Sequence, residues 1–187
     1  MAIEAWFMDD SNEDQRFPHH RNPKEFVSMD QLAELGVLHW KLNPKVYEND
    51  EELKKIRDDR GYNYVDLLDI CPEKLANYEA KLKDFFTEHI HANEEIRYCL
   101  DGSGYFDVRD KNDRWIRIWI KPGDLIILPA GIYHRFTLDT NNYTKLMRLF
   151  QGEPIWTPFN RPQEQHPARK EYLKTFTEKA GVALEAH

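Results

Sequence analysis

The feature that most constrains this chain is a change of period. From about residue 88 to about residue 150 apolar and polar residues alternate, where the preceding segment repeats every three or four. IRYCLDGSGYFDVRD alternates across a Gly turn, WIRIWIKPGD alternates and stops at Pro-Gly, DLIILPAG reads as a buried run, and HRFTLD and TKLMRLF follow. A period of two puts successive side chains on opposite faces of a strand. Short strands joined by Gly, Pro, Asn and Asp turns predict an antiparallel barrel or sandwich.

The flanks read differently. Residues 2–8 suggest a short strand, and FPHHRNP a loop. Ser28 and Gly36 bracket MDQLAEL as cap and stop of a short helix, GVLHWKLN reads as a strand ending before Pro44, and NDEELKKIRDDRG as a helix stopped by Gly61. Another helix is expected from Pro72, with Leu75, Tyr78, Leu82 and Phe85 three or four apart. The N-terminal third is therefore expected to be mixed and mainly helical. After Gln151 come four prolines in GEPIWTPFNRPQEQHP and a helix-like ARKEYLKTFTEKAG. Within 187 residues we expect one domain: a mixed part (1–87), a barrel core (88–150) and a Pro-rich segment with a C-terminal helix and tail (151–187). The fold class expected is mainly β with α, helices packing outside the barrel.

Composition excludes several functions. With 26 Lys and Arg against 33 Asp and Glu, the net charge is −7, and no basic run exists to displace counterions from a nucleic acid. No window approaches the roughly 20 apolar residues needed to cross a bilayer. MAIEAWFMDD lacks the basic-then-apolar layout of a secretory signal. Two cysteines, Cys71 and Cys99, are too few for a disulfide scaffold and are expected to be reduced. A cytoplasmic protein acting on small molecules is the expectation.

The chemistry concentrates in EHIHANEEIRYCLDGSG. His89, His91, Glu95 and Arg97 share parity, but in one unbroken strand His89 and Glu95 would stand about 20 Å apart, too far for one metal. A turn at Ala92–Glu94 would fold the carboxylate back beside the imidazoles. Two neutral imidazoles and a carboxylate suit a divalent first-row metal. In KPGDLIILPAGIYHRF, Pro129 and Gly131 shape a turn that delivers His134 from another strand. Four ligands leave two octahedral positions open. HxH by itself is more often two solvated histidines than a metal site; the acid, the glycine spacing and the second segment together reverse that and favour the metal. His19, His20, His39, His166 and His187 read as structural or solvated, and Glu94 as a surface acid.

Parity puts Arg97 and Phe136 on the inward face. A buried guanidinium needs an anion, either an oxyanionic substrate, which we favour, or a neighbouring acid in a salt bridge. Arg148 in KLMRLF poses the same choice, and Trp156 reads as a wall of the pocket mouth or as plain packing.

The two segments are similar to the paired cupin motifs. The first matches HxHxxxE with Gly102 seven residues beyond the acid, and the second matches Gly123, Pro129, Gly131 and His134. Lys83 and Leu138 depart from the usual Gly and Asn without touching a ligand position. More closely, HIHANEEIRYCLDGSGYFDVRD, WIRIWIKPGDLIILPAGIYHRFTLD and MRLFQGEPIWTPFNRP resemble the acireductone dioxygenases of methionine salvage, from AWFMDD to about residue 175. The resemblance implies a cupin-type antiparallel β-barrel (jelly roll) and one Fe(II) or Ni(II) per chain held by His89, His91, Glu95 and His134. It implies an anionic enediol substrate and O2. Arg97 and Arg148 would compensate its charge, Phe85, Phe136 and Trp156 would shape the cavity, and Glu88 would serve as a pocket acid or base.

With iron the family's reaction gives 4-methylthio-2-oxobutanoate and formate; with nickel it gives 3-methylthiopropanoate, formate and carbon monoxide. A monomer in the cytoplasm and also the nucleus, with secondary protein partners, belongs to the same expectation. The alternative is a noncatalytic cupin that binds metal or ligand in a regulatory role.

Overall fold

The computed structural model describes residues 3–178, and within them two antiparallel sheets carry the architecture. Strand β1 (Glu4–Phe7) is followed by α1 (Met29–Glu34), β2 (Leu38–Lys41), α2 (Glu51–Arg60), β3 (Tyr64–Ile70) and α3 (Tyr78–Phe86). Then come β4 (His89–Ile90), β5 (Glu95–Gly102), β6 (Gly104–Arg109), β7 (Trp115–Ile120), β8 (Asp124–Leu128), β9 (His134–Leu138), β10 (Thr144–Phe150), β11 (Phe159–Asn160) and α4 (Pro167–Leu173). One sheet has the order β1-β7-β6-β9-β4-β11 and the other β2-β8-β5-β10-β3. The fold is the expected cupin-like, mainly β type, but among the described residues the sheets face each other without closing into a barrel. The strands on either side of Ser103 lie in different sheets, as do β7 and β8, β8 and β9, and β9 and β10. The chain shuttles across the core at nearly every turn.

Local chemistry explains the helices. Ser28 and Gln31 form a capping box at α1, while Asp50 accepts from the Glu52 amide at 2.9 Å to start α2. Gly61, at φ 72°, ends α2 in the left-handed region. Leu53 and Ile56 of α2 cover Ile96, Leu125, Ile127 and Leu149 on the outer face of the second sheet. Ile126 and Leu128 instead join Phe106, Val108, Phe136 and Leu146 between the sheets. Strand β8 is thus buried on both faces, so Leu125–Leu128 is apolar without alternation. Each such side chain contributes about 1.5–3 kcal/mol by leaving water.

Three expectations change. The N-terminal third is mixed, with more residues in helix than in strand as expected, but it also contains β3, which was not foreseen because Val65 and Leu67 are apolar yet 40% and 44% exposed and so blur the alternation of YVDLLDI. The helix expected from Pro72 begins at Tyr78, after Asn77 at φ 56° breaks the right-handed path. The C-terminal helix is α4 followed by a π-type turn at Lys174–Glu178. Its expected continuation to Gly181, the tail and the reading of His187 lie outside the described residues.

Candidate metal centre

The His89–Glu95 segment crosses from one sheet to the other. His89 ends in register with His134 of β9, the chain bends at Ala92 and Asn93, and Glu95 opens β5 in the opposite sheet. The expected turn therefore exists, and it returns the carboxylate across the core. Gly131 makes the second approach possible. At φ 85° its amide donates to the His91 carbonyl at 3.1 Å, and a Cβ there would meet the Ala168 carbonyl oxygen at 2.3 Å.

One ligand nitrogen from each of His89, His91 and His134 falls within a group whose members all lie within 4.8 Å of one another. The far nitrogens explain their aim. Nδ1 of His89 donates to the Thr87 carbonyl, that of His91 to Thr157 at 3.0 Å, and that of His134 to Ile132 at 2.9 Å. These backbone acceptors select the Nδ1–H tautomer and leave each Nε2 lone pair facing inward. Burial pushes the His89 imidazole down to about 4, with the His134 charge adding to it, and burial likewise lowers His91. Both rings are neutral, as metal ligands must be.

Glu95 lies 2.6 Å from His134 Nε2 and 3.5 Å from His91 Nε2. In the form that ligates a metal, with Nε2 deprotonated and Nδ1 donating to Ile132, His134 has no proton to give that carboxylate. A lone pair and a carboxylate oxygen so close are repulsive unless a positive charge lies with them. Burial would raise the Glu95 pKa, but Arg97 and His134 hold it well below the usual carboxylate range. The donor set, three inward nitrogens with an ionised oxygen beside two of them, suits a divalent first-row ion by its chemistry.

These groups stand at the polar end of a cavity of about 240 Å³. Register gives it a direction. One two-residue step along β9 leads from His134 to Phe136, which faces Phe106, and one step back along β10 leads from Arg148 to Leu146, which faces Leu68. A step of about 7 Å thus separates a charged end from an apolar end closed by Phe85, 6.1 Å from the Phe136 ring.

The remaining expected residues divide. Phe85, Phe136, Trp156, Arg97 and Arg148 all line the cavity. Arg97 is 11% exposed and pairs with Glu95 at 3.2 Å, so the salt-bridge alternative describes its present partner. Arg148 is held bidentately by Asp66 at 2.8 and 2.7 Å. Trp156 covers both guanidiniums, at 5.1 and 4.5 Å. Glu88 corrects the expectation of a pocket acid or base. Adjacent to His89, it points to the other side, where it accepts from Arg109 at 2.9 Å and Arg161 at 2.7 Å and does not line the cavity. Burial raises its pKa, and the two arginines outweigh that and lower it.

Glu94 points away, accepting from Tyr62 at 2.8 Å. His39 has a partner after all, Asp124 at 2.8 Å, and His19 pairs with Asp9 at 2.8 Å. Asp66 and Tyr64 on β3 and the Thr157 carbonyl were not foreseen. The shared parity of Asp66, Leu68 and Ile70 was the available signal for β3.

The family described as ARD/ARD′ matches residues 4–158. "Acireductone dioxygenase 4" of Arabidopsis thaliana is 76% identical over 187 residues, covering 100% of both chains. "Acireductone dioxygenase 1" of Vitis vinifera is 76% identical over 188 residues, again covering 100% of both. A solved structure described as an acireductone dioxygenase from Bacillus anthracis with cadmium ion in active center superposes with a TM-score of 0.66. It is 22% identical and covers 85% of this chain and 99% of its own, a likeness of fold.

Proposed function

The chain belongs to the ARD/ARD′ family and is a metal-dependent dioxygenase acting on acireductone, and from that premise we propose that His89, His91, Glu95 and His134 hold one Fe(II) or Ni(II). The observation that carries this reading is the convergence of three inward imidazole nitrogens within 4.8 Å at the charged end of a cavity whose other end is apolar.

The chain's own groups supply recognition. Arg97 and Arg148 present N–H donors to the oxygens of an anionic enediol, and Trp156 lies over both guanidiniums and keeps water from that end. Phe85, Phe136 and Leu146 take the methylthio tail. Thr87, Thr157 and Ile132 hold the imidazoles in register for the ion through their carbonyls. When bound, the ion supplies Lewis acidity to the enediolate and a template for its encounter with dioxygen. Iron is assigned the keto acid and formate, nickel the methylthiopropanoate, formate and carbon monoxide; ligand chemistry favours nickel over iron, and cellular supply can overrule it. Both product sets contain every atom of acireductone plus O2.

The setting proposed is methionine salvage by a monomer in the cytoplasm and nucleus. Two buried free thiols, Cys71 and Cys99, suit a reducing compartment. The test is anaerobic loading with Fe(II), addition of acireductone and then oxygen, with a parallel Ni(II) arm. Oxygen uptake with keto acid from the first and carbon monoxide from the second is expected. Uptake no faster than the uncatalysed reaction in either arm would leave a binding module instead.

A further inference from the structure

Three neighbouring strands set Asp66, Arg148 and Arg97 in one row. Asp66 of β3 is in register with Arg148 of β10, which is in register with Arg97 of β5. Asp66 takes both N–H groups of one edge of Arg148, at 2.8 and 2.7 Å, and Tyr64 donates its hydroxyl to the same carboxylate at 2.6 Å. The Tyr64 ring stands edge-on to Trp156, 6.2 Å away. Since Arg97 is paired with Glu95 at 3.2 Å, each guanidinium of the cavity wall has its own carboxylate. The wall therefore offers directional donors with little net positive charge.

We infer that Asp66, seated by Tyr64, is a positioning residue that aims Arg148 at the substrate while cancelling its charge, so that carboxylate products leave the cavity. The inference rests on the proposed reaction, which converts one substrate into two carboxylic acids. Two unpaired guanidiniums beside a divalent ion would retain those acids, because cations hold carboxylates through charge-assisted hydrogen bonds. Asp66 removes that attraction without removing the donors. Its strand places it where it touches the arginine and does not itself line the cavity.

The test uses the metal-loaded protein and butanoate, a monocarboxylate with an apolar tail, titrated calorimetrically, beside oxygen-uptake kinetics with acireductone. Asp66→Asn should bind butanoate about tenfold more tightly, the order of effect of one unit charge about 10 Å away at an effective dielectric near 20. Its KM for acireductone should fall while kcat also falls. Asp66→Glu and Tyr64→Phe, which keep the charge, should bind butanoate as the wild type does. So should Asp69→Asn, which removes a carboxylate from the opposite parity of the same strand. Should Asp66→Asn fail to fold, Asp66→Ser or Asp66→Gln, each of which removes the same charge with a different side chain, replaces it with the same expected gain. Unchanged or weaker butanoate binding by the folded charge-removing variant overturns the inference. A wild type that binds butanoate but consumes no oxygen with acireductone overturns the enzymatic reading instead.

Discussion

Replacing Asp107 by Asn should cost this fold more than any change at the metal centre. Asp107 on β6 is fully buried and accepts from Arg117 Nε and Nη2 at 2.8 and 2.9 Å and from Arg135 Nε at 2.8 Å. Arg117 is itself 0% exposed, and its remaining Nη1 donates to the carbonyls of Gln15 and Phe17, tying the N-terminal loop to the sheet. The Arg135 guanidinium lies between the rings of Phe86 and Trp115. One carboxylate thus serves two guanidiniums, Arg117 fully buried and Arg135 mostly so, and Asn keeps the shape while withdrawing the charge. Breaking a buried pair by removing one partner costs about 3–5 kcal/mol, against a total stability of about 5–15 kcal/mol.

For a chain of this length each kcal/mol lowers Tm by about 2–4 °C, so a fall of about 6–20 °C is expected. Thermal unfolding followed by circular dichroism at pH 7 reads it. At 15 °C the folded variant should still hold metal, because Phe106 and Val108, on the opposite parity of β6, keep their places against Phe136 and His134. Replacing the triad together, Asp107→Leu with Arg117→Met and Arg135→Met, should recover most of the loss, since no unpaired charge is left behind. A fall in Tm below about 3 °C for Asp107→Asn would show that the two arginines do not depend on this carboxylate.

Three further outcomes follow from the site and its supports. His134→Ala removes one of three converging nitrogens and should lose most bound metal by elemental analysis with the far-ultraviolet spectrum intact; wild-type occupancy would contradict the ligand assignment. Arg97→Ala should retain metal at neutral pH but lower turnover by about a hundredfold, the usual effect of removing one charge-stabilising donor; unchanged kinetics would make the Glu95 pair purely structural. Asp124→Asn tests the acid limb. Burial raises the Asp124 pKa, but the His39 hydrogen bond, the Lys121 amide and the Lys41 charge outweigh it, so the folded value lies below the unfolded value of about 4. A depressed carboxyl stabilises the fold above that unfolded value, and the benefit is lost as pH falls through the folded value. The Tm gap between wild type and Asp124→Asn should therefore be full at pH 7 and shrink below about pH 4; a gap independent of pH would refute it.

The cluster of three histidines with Glu95 beside it was legible because its residues carry their geometry in their spacing. HxHxxxE can gather three ligands only if the chain turns between the second and third, and Ala92–Glu94 is such a turn. His134 was reachable because Gly131 marks a backbone path that a side chain would obstruct. The helix ends at Ser28, Asp50 and Gly61 were legible for a similar reason: each is a local hydrogen-bond or φ requirement met by one residue type. Closure of the sheets, by contrast, depends on which strand pairs with which, and alternation is silent on pairing. Strands β5 and β6 alternate alike on either side of Ser103, yet one lies in each sheet.

What escaped the sequence was the support behind the site, and the reason is the missed strand. An edge strand with Val65 and Leu67 exposed looks like neither a clean amphipathic strand nor a helix, so its inward set Asp66, Leu68 and Ile70 went unread. That set includes the acid that binds Arg148. Arg97 too has an acid of the chain beside it, Glu95, a neighbour on its own strand that spacing had already assigned to the metal. Charges that face inward in this fold are matched by acids of the chain itself: Glu95 for Arg97, Asp66 for Arg148, Asp107 for Arg117 and Arg135. A divalent ion is then the uncompensated charge of the cavity, which makes the ion, rather than the arginines, the principal attraction for an anionic substrate.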